Sequence, residues 1–82
     1  MVTREQILKD IIIDLIKCNV NRYNIIKQCY NILSVYYNSL EESLFDFAID
    51  IVDTIIATDD MNNISITIDL NNREVVFNND RY

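Results

Sequence analysis

The chain contains no glycine and no proline. Every reversal of its backbone must therefore be made by residues that carry a side chain. Asparagine tolerates the left-handed region better than most such residues, because its short polar side chain can hydrogen-bond locally there. Most of the eleven asparagines fall where breaks are expected: Asn19 and Asn21, Asn38, Asn62 and Asn63, Asn71 and Asn72, Asn78 and Asn79. These positions divide the chain into segments, and the hydrophobic period inside each segment indicates what it becomes.

Thr3 followed by Gln6 reads as a capping box that opens a first helix over about Arg4 to Cys18. Leu8, Ile11, Ile12, Leu15 and Ile16 recur at helical spacing as a single apolar stripe, with Ile13 on the opposite side. Asn21 is placed to cap a second helix over Arg22 to Tyr37, whose inward face is Ile25, Ile26, Cys29, Ile32, Leu33 and Tyr36. Ser39 with Glu42 reads as a further capping box, starting a third helix over about Leu40 to Ala57. Its apolar arc is wide: Leu40, Leu44, Phe47, Ala48, Ile51, Val52 and Ile55, broadened by Phe45, Ile49 and Ile56. A helix so apolar is expected at the centre, packed on more than one neighbour.

Beyond Asp59–Asn63 the period changes to two. Ile64, Ile66, Ile68 and Leu70 alternate with Ser65, Thr67 and Asp69, and Asn71-Asn72 can form a two-residue turn into a return strand from Arg73 to Asn78. That register sets Ile68 opposite Val75 and Ile66 opposite Phe77. An isolated hairpin is marginal in water, so its apolar face is expected to close over the helices. The expected fold is α+β: two antiparallel helices, a central third helix and a C-terminal two-stranded antiparallel hairpin, in one domain over residues 1–82.

Half of the residues are hydrophobic, which argues against disorder. In a domain so small the core is limited by surface-to-volume scaling. Some apolar surface is therefore expected to remain for a homodimer or a dedicated partner. Cys18 and Cys29 would lie about 12 Å apart along paired helices, too far for a disulfide. Both read as small buried hydrophobes in a reducing compartment. The N-terminus leads into a charged helix without a signal-peptide layout, and an uninterrupted apolar run such as Ile11–Ile13 is far short of a membrane span. A cytoplasmic location, with no membrane contact, is expected.

Charge is segregated. Gln28 to Asn72 holds eight acidic residues and no Lys or Arg, while the rest carries seven basic against five acidic. Glu42, Asp46, Asp50 and Asp53 share the polar arc of the third helix, and Glu41, Asp59 and Asp60 extend it. Like charges at i, i+4 cost a few tenths of a kcal/mol per pair, and anions near a helix C-terminus are disfavoured by its dipole. The C-terminal acids have no local benefit visible in the sequence. Such a stripe is either a solvated face that keeps an apolar helix soluble or a surface offering carboxylates to Arg and Lys of a partner. Tyr23, Tyr30 and Tyr37 recur every seven residues along the second helix. They read as a core boundary or as a partner-contact strip, since Tyr is enriched at binding hot spots.

The order of three helices and a hairpin resembles that of winged-helix DNA-binding domains. The resemblance implies that the third helix would enter the major groove, where Glu42, Asp46, Asp50 and Asp53 would face phosphates. Only Arg73 near the hairpin tip is placed to help, so no direct nucleic-acid contact is expected. Without histidine or glycine the chain has no imidazole base and no phosphate-binding glycine loop. Asp59–Asn63 offers oxygen ligands without the spacing of an EF-hand loop. A non-enzyme with no cofactor and no metal is expected.

Fifteen isoleucines and eleven asparagines fit an AT-rich coding sequence, as in a bacteriophage, a large DNA virus or a low-GC bacterium. The functional expectation is a small acidic protein-binding module, a viral or mobile-element inhibitor that occupies a basic, nucleic-acid-binding surface of a host or competitor protein. The alternative is a homodimeric structural or adaptor protein whose acidic face serves solubility.

Overall fold

A computed structural model of the protein describes residues 3–58 and 66–77. Three helices, α1 (Arg4–Lys17), α2 (Arg22–Tyr37) and α3 (Glu42–Ile56), precede a hairpin of β1 (Ile66–Asp69) and β2 (Glu74–Phe77). The fold is α+β, as the change of period indicated. Among the described residues no helix is long and apolar enough to cross a membrane.

Thr3 caps α1, its hydroxyl accepting from the Gln6 N–H at 3.1 Å. Asn21 does the same for α2, its side-chain oxygen accepting from the Asn24 N–H at 2.9 Å. Two asparagines end these helices in the left-handed region, Asn19 at φ 61° and Asn38 at φ 52°. At both ends the N–H beyond the asparagine reaches back across the last turn, Val20 to Leu15 at 3.1 Å and Ser39 to Ser34 at 3.0 Å. This is the Schellman closure usually made with glycine, and here asparagine supplies the positive φ.

The third helix departs from the sequence reading. It begins at Glu42 rather than Leu40, and the residue at its N-cap, Glu41, makes no side-chain cap bond. Ser39 does not form the expected capping box with Glu42. Its N–H closes α2, and its hydroxyl accepts from the Glu41 N–H at 3.2 Å. Leu40 is left on the connection at 81 % exposure instead of in the core.

From Leu44 onward α3 is the centre of the molecule. Leu44, Ala48, Ile51, Val52 and Ile55 are fully buried, and the helix packs against α1, α2 and both strands. Each of the leucine, isoleucine and valine side chains among them contributes about 1.5–3 kcal/mol of burial. Ile56, expected to broaden the arc, is exposed. Leu8 and Ile12 of α1 and Ile25, Ile26, Cys29 and Leu33 of α2 complete the helical core. Ile13, on the side of α1 opposite the stripe, is half-buried against that core. Cys18 is exposed rather than buried. Cys29 is buried, and that burial pushes its thiol up to about 12.

The hairpin keeps the expected register, Ile66 with Phe77 and Ile68 with Val75, but its turn is longer. The last pair is Asp69 with Glu74, so the loop spans Leu70–Arg73 rather than Asn71-Asn72 alone. The Asp69 carboxylate draws the turn together, accepting from the Asn71 N–H at 3.0 Å, the Asn72 N–H at 3.2 Å and the Asn72 side-chain amide at 2.8 Å. These bonds hold the Asp69 carboxyl below its usual range. Ile66, Ile68 and Leu70 are buried against the helices. Ile64 and Asn78 lie outside the described residues.

Candidate protein-binding surface

Because the apolar arc of α3 is buried, its polar arc necessarily faces solvent. Glu42, Asp46 and Asp50 occupy that arc one turn apart and are all exposed. Among the described residues their carboxylates have no hydrogen-bond or ion-pair partner. The other acidic residues of the stripe differ. Asp53 forms a two-pronged ion pair with Arg22 at the start of α2, at 2.7 and 2.8 Å. The hydrogen bonds to Arg22 hold the Asp53 carboxyl below its usual range, against a smaller opposing effect of burial, and raise Arg22 in return. The acid near the C-terminus of α3 therefore gains a cation from 31 residues away, a partner that local spacing did not reveal.

At the other end Glu41 accepts from Arg73 at 2.9 Å and from the Ser43 hydroxyl at 3.1 Å. These bonds, Arg73 first, hold the Glu41 carboxyl down. Arg73 sits at φ 54°, an unfavourable region for a residue with a long side chain. Its guanidinium also lies 4.5 Å from the centre of the Tyr37 ring. One arginine thus ties the hairpin tip to the start of α3. Asp59 and Asp60 lie outside the described residues.

The three tyrosines do not form one strip. Tyr23 is 62 % exposed, with the Lys27 ammonium 5.4 Å from its ring centre. Tyr30 is half-buried, meets Phe45 edge-on at 5.6 Å and donates its hydroxyl to the Leu40 carbonyl at 3.2 Å. Tyr37 is half-buried beneath Arg73 and donates its hydroxyl to the Leu70 carbonyl. Burial is the main cause that raises the Tyr37 phenol above its ordinary value. Tyr30 and Tyr37 tie α2 to its neighbours, and only Tyr23 presents its ring to solvent.

Two features went unread in the sequence. Glu74 on β2 is exposed and lines a shallow cleft of about 550 Å³ with Asp50, Thr54, Arg73 and Val76, so the hairpin sets a further carboxylate, and the Arg73 side chain, beside the stripe. Its place depends on how the hairpin docks, which no spacing encodes. The second is an apolar groove of about 410 Å³ between α1 and α2. Ile7 (48 % exposed), Ile11 (37 %), Val35 (82 %) and Tyr36 (37 %) line it, with Arg4 at its rim 5.2 Å from the Tyr36 ring centre. Ile11 and Tyr36 were expected in the core, and their exposure corrects that assignment. The only signal for this groove was the high apolar fraction of a small chain. No protein-family model matches the chain, and no curated protein or solved structure matches it either.

Proposed function

We propose that this chain is a small protein-binding module that presents the acidic arc of α3 to a basic protein. The carrying observation is the contrast within the stripe. Asp53 and Glu41 at its two ends are paired with Arg22 and Arg73, whereas Glu42, Asp46 and Asp50 between them are exposed and unpaired. Three carboxylates fixed on a rigid helix form a one-signed row that steers arginine- and lysine-rich partners and repels phosphate. In this reading the partner is a nucleic-acid-handling protein, and the module inhibits it by covering the surface meant for a phosphate backbone.

The test is a pull-down from cell extract with the wild type beside a Glu42→Gln, Asp46→Asn, Asp50→Asn variant, eluted with rising salt. Asp53 stays intact in this design because its loss would free Arg22. The expected result is a basic partner that leaves the wild type at high salt and ignores the folded variant. Equal recovery of the same proteins by both baits overturns the reading.

The groove between α1 and α2 favours a second reading. Ile7, Ile11, Val35 and Tyr36 line one exposed apolar groove, and a contiguous apolar patch of this kind is where one protein surface meets another. In that case the chain is a homodimeric structural or adaptor protein, and the acidic arc keeps the assembly soluble.

A further inference from the structure

A second copy is the occupant that the charges around the groove favour. The chain carries a net charge of −6, so two copies repel each other on most approaches. All of that net charge lies outside α1. Helix α3 carries four acidic residues and no base, whereas α1 carries Arg4, Lys9 and Lys17 against Glu5, Asp10 and Asp14 and is neutral as a unit. Helix α1 is therefore the helical face on which two copies meet with the least repulsion.

The order of residues on that face is self-complementary. Arg4, Ile7, Ile11 and Asp14 follow one another at helical spacings of three, four and three, which places them in a single row. All four are exposed. Arg4 and Asp14 lie five residues either side of Lys9, and Ile7 and Ile11 lie two residues either side. Lys9 itself is turned away from the row, donating to the Ile66 carbonyl at 3.3 Å. Neither the Arg4 guanidinium nor the Asp14 carboxylate has an ion-pair partner among the described residues.

We propose that α1 pairs with α1 of a second copy of this chain, antiparallel about a twofold axis at the level of Lys9. Ile7 then meets Ile11 of the other copy, twice, and Arg4 meets Asp14 of the other copy, twice. The interface is isologous, so each favourable contact is repeated by symmetry. Val35 and Tyr36 flank the seam and are covered by the C-terminal half of the incoming helix. A parallel pairing would instead set Arg4 against Arg4 and Asp14 against Asp14. The acidic arcs of α3 are not used in this assembly. The inference rests on the dimeric reading above and supplies its interface, while the acidic-face reading stands or falls separately.

The test is solution mass by sedimentation or light scattering across a dilution series. The wild type is expected at twice 9.7 kDa when concentrated. Ile7→Glu, at a position already half exposed, is expected to yield a folded monomer. Arg4→Asp or Asp14→Arg alone is expected to weaken association roughly tenfold at low salt, because each reverses both symmetric pairs. The double Arg4→Asp, Asp14→Arg variant restores it. An oxidant provides an independent check through Cys18, since burial of Cys29 leaves Cys18 as the accessible thiol. In the antiparallel pair the two Cys18 residues stand about 27 Å apart along the helices and do not cross-link.

A dimer that ignores Ile7→Glu, a charge swap that fails to restore association, or a rapid Cys18–Cys18 disulfide overturns this interface while leaving a homodimer in place. A monomer throughout overturns both the interface and the dimeric reading, as does a monomer whose groove takes up only a foreign amphipathic helix.

Discussion

Helices α1 and α3 are nearly equal in length, 14 and 15 residues, yet they meet solvent with opposite kinds of surface. Leu44, Phe47, Ala48, Ile51, Val52 and Ile55 of α3 are all at most 4 % exposed, and its outer arc is a row of carboxylates. In α1 only Leu8 and Ile12 are fully buried, and Ile7 and Ile11 stay in water between an arginine and an aspartate. Position explains the apolar side of this difference. Helix α3 lies between two helices and a hairpin, which cover its wide arc, while α1 lies at the edge with more aliphatic surface than its neighbours can cover. The polar side has no such explanation, because a central helix needs a soluble outer face but not a one-signed one.

The largest expected effect that could break this comparison is a pair of truncations read by urea unfolding of dilute protein. Ile51→Ala opens a cavity beneath α3 and should cost about 2–5 kcal/mol. Ile11→Ala removes a side chain already 37 % exposed and should cost about 0.5–1 kcal/mol. Equal losses would mean that the α1 row is covered even in dilute protein.

What the sequence made legible follows the same division. Element order, the hairpin register and the buried face of α3 were readable because they rest on local periodicity over many residues. The start of α3 was not. Ser39 had two uses available, capping α3 or closing α2, and nothing local says that the left-handed turn at Asn38 would take its N–H for the latter. The partition of α1 was also illegible, because a helical wheel marks Ile11 and Ile12 as one stripe and only the placement of α2 decides that one is buried. Of the candidate site, the exposure of Glu42, Asp46 and Asp50 follows from amphipathicity. The pairing of Asp53 with Arg22 and of Glu41 with Arg73 spans 31 and 32 residues and belongs to the tertiary fold.

A smaller effect concerns the turn that sets α3 in place. Asn38→Ala forces an ordinary residue into φ 52° and should cost about 1 kcal/mol, whereas Asn38→Gly should be nearly neutral. Thermal melts check this. If alanine is tolerated as well as glycine, the helix has another route out of α2 and the central position of α3 is less tightly set than the bonding implies.

Smaller still is the acid limb of the stability curve. Asp53 and Glu41 have folded pKa values below their ordinary 3.8 and 4.5. A carboxylate held down in this way adds stability that is complete above its unfolded pKa and lost as pH falls through its folded one. Melting temperature should therefore decline below about pH 4.5, and Asp53→Asn should make the decline shallower. Both pairs are exposed and screened by salt, so the effect should shrink as ionic strength rises. An unchanged limb in Asp53→Asn would show that the Arg22 contact does not persist in solution.

The smallest effect bears most directly on why the outer arc of α3 is one-signed. Asp46 has Glu42 one turn before it and Asp50 one turn after it, so it takes part in two like-charge pairs at i, i+4. Asp46→Asn removes both and should raise stability by about 0.5 kcal/mol, or ~3 °C in a domain of this size. The gain should vanish in high salt, because it comes from relieved repulsion between exposed groups. A stabilising substitution of this kind marks a position where the native residue does not serve folding, as stability–function trade-offs do. Under the acidic-face reading the same substitution should weaken capture of a basic partner, so stability and binding move in opposite directions. Should Asp46→Asn destabilise the fold instead, the carboxylate row has a structural role and the contrast between α1 and α3 loses its functional meaning.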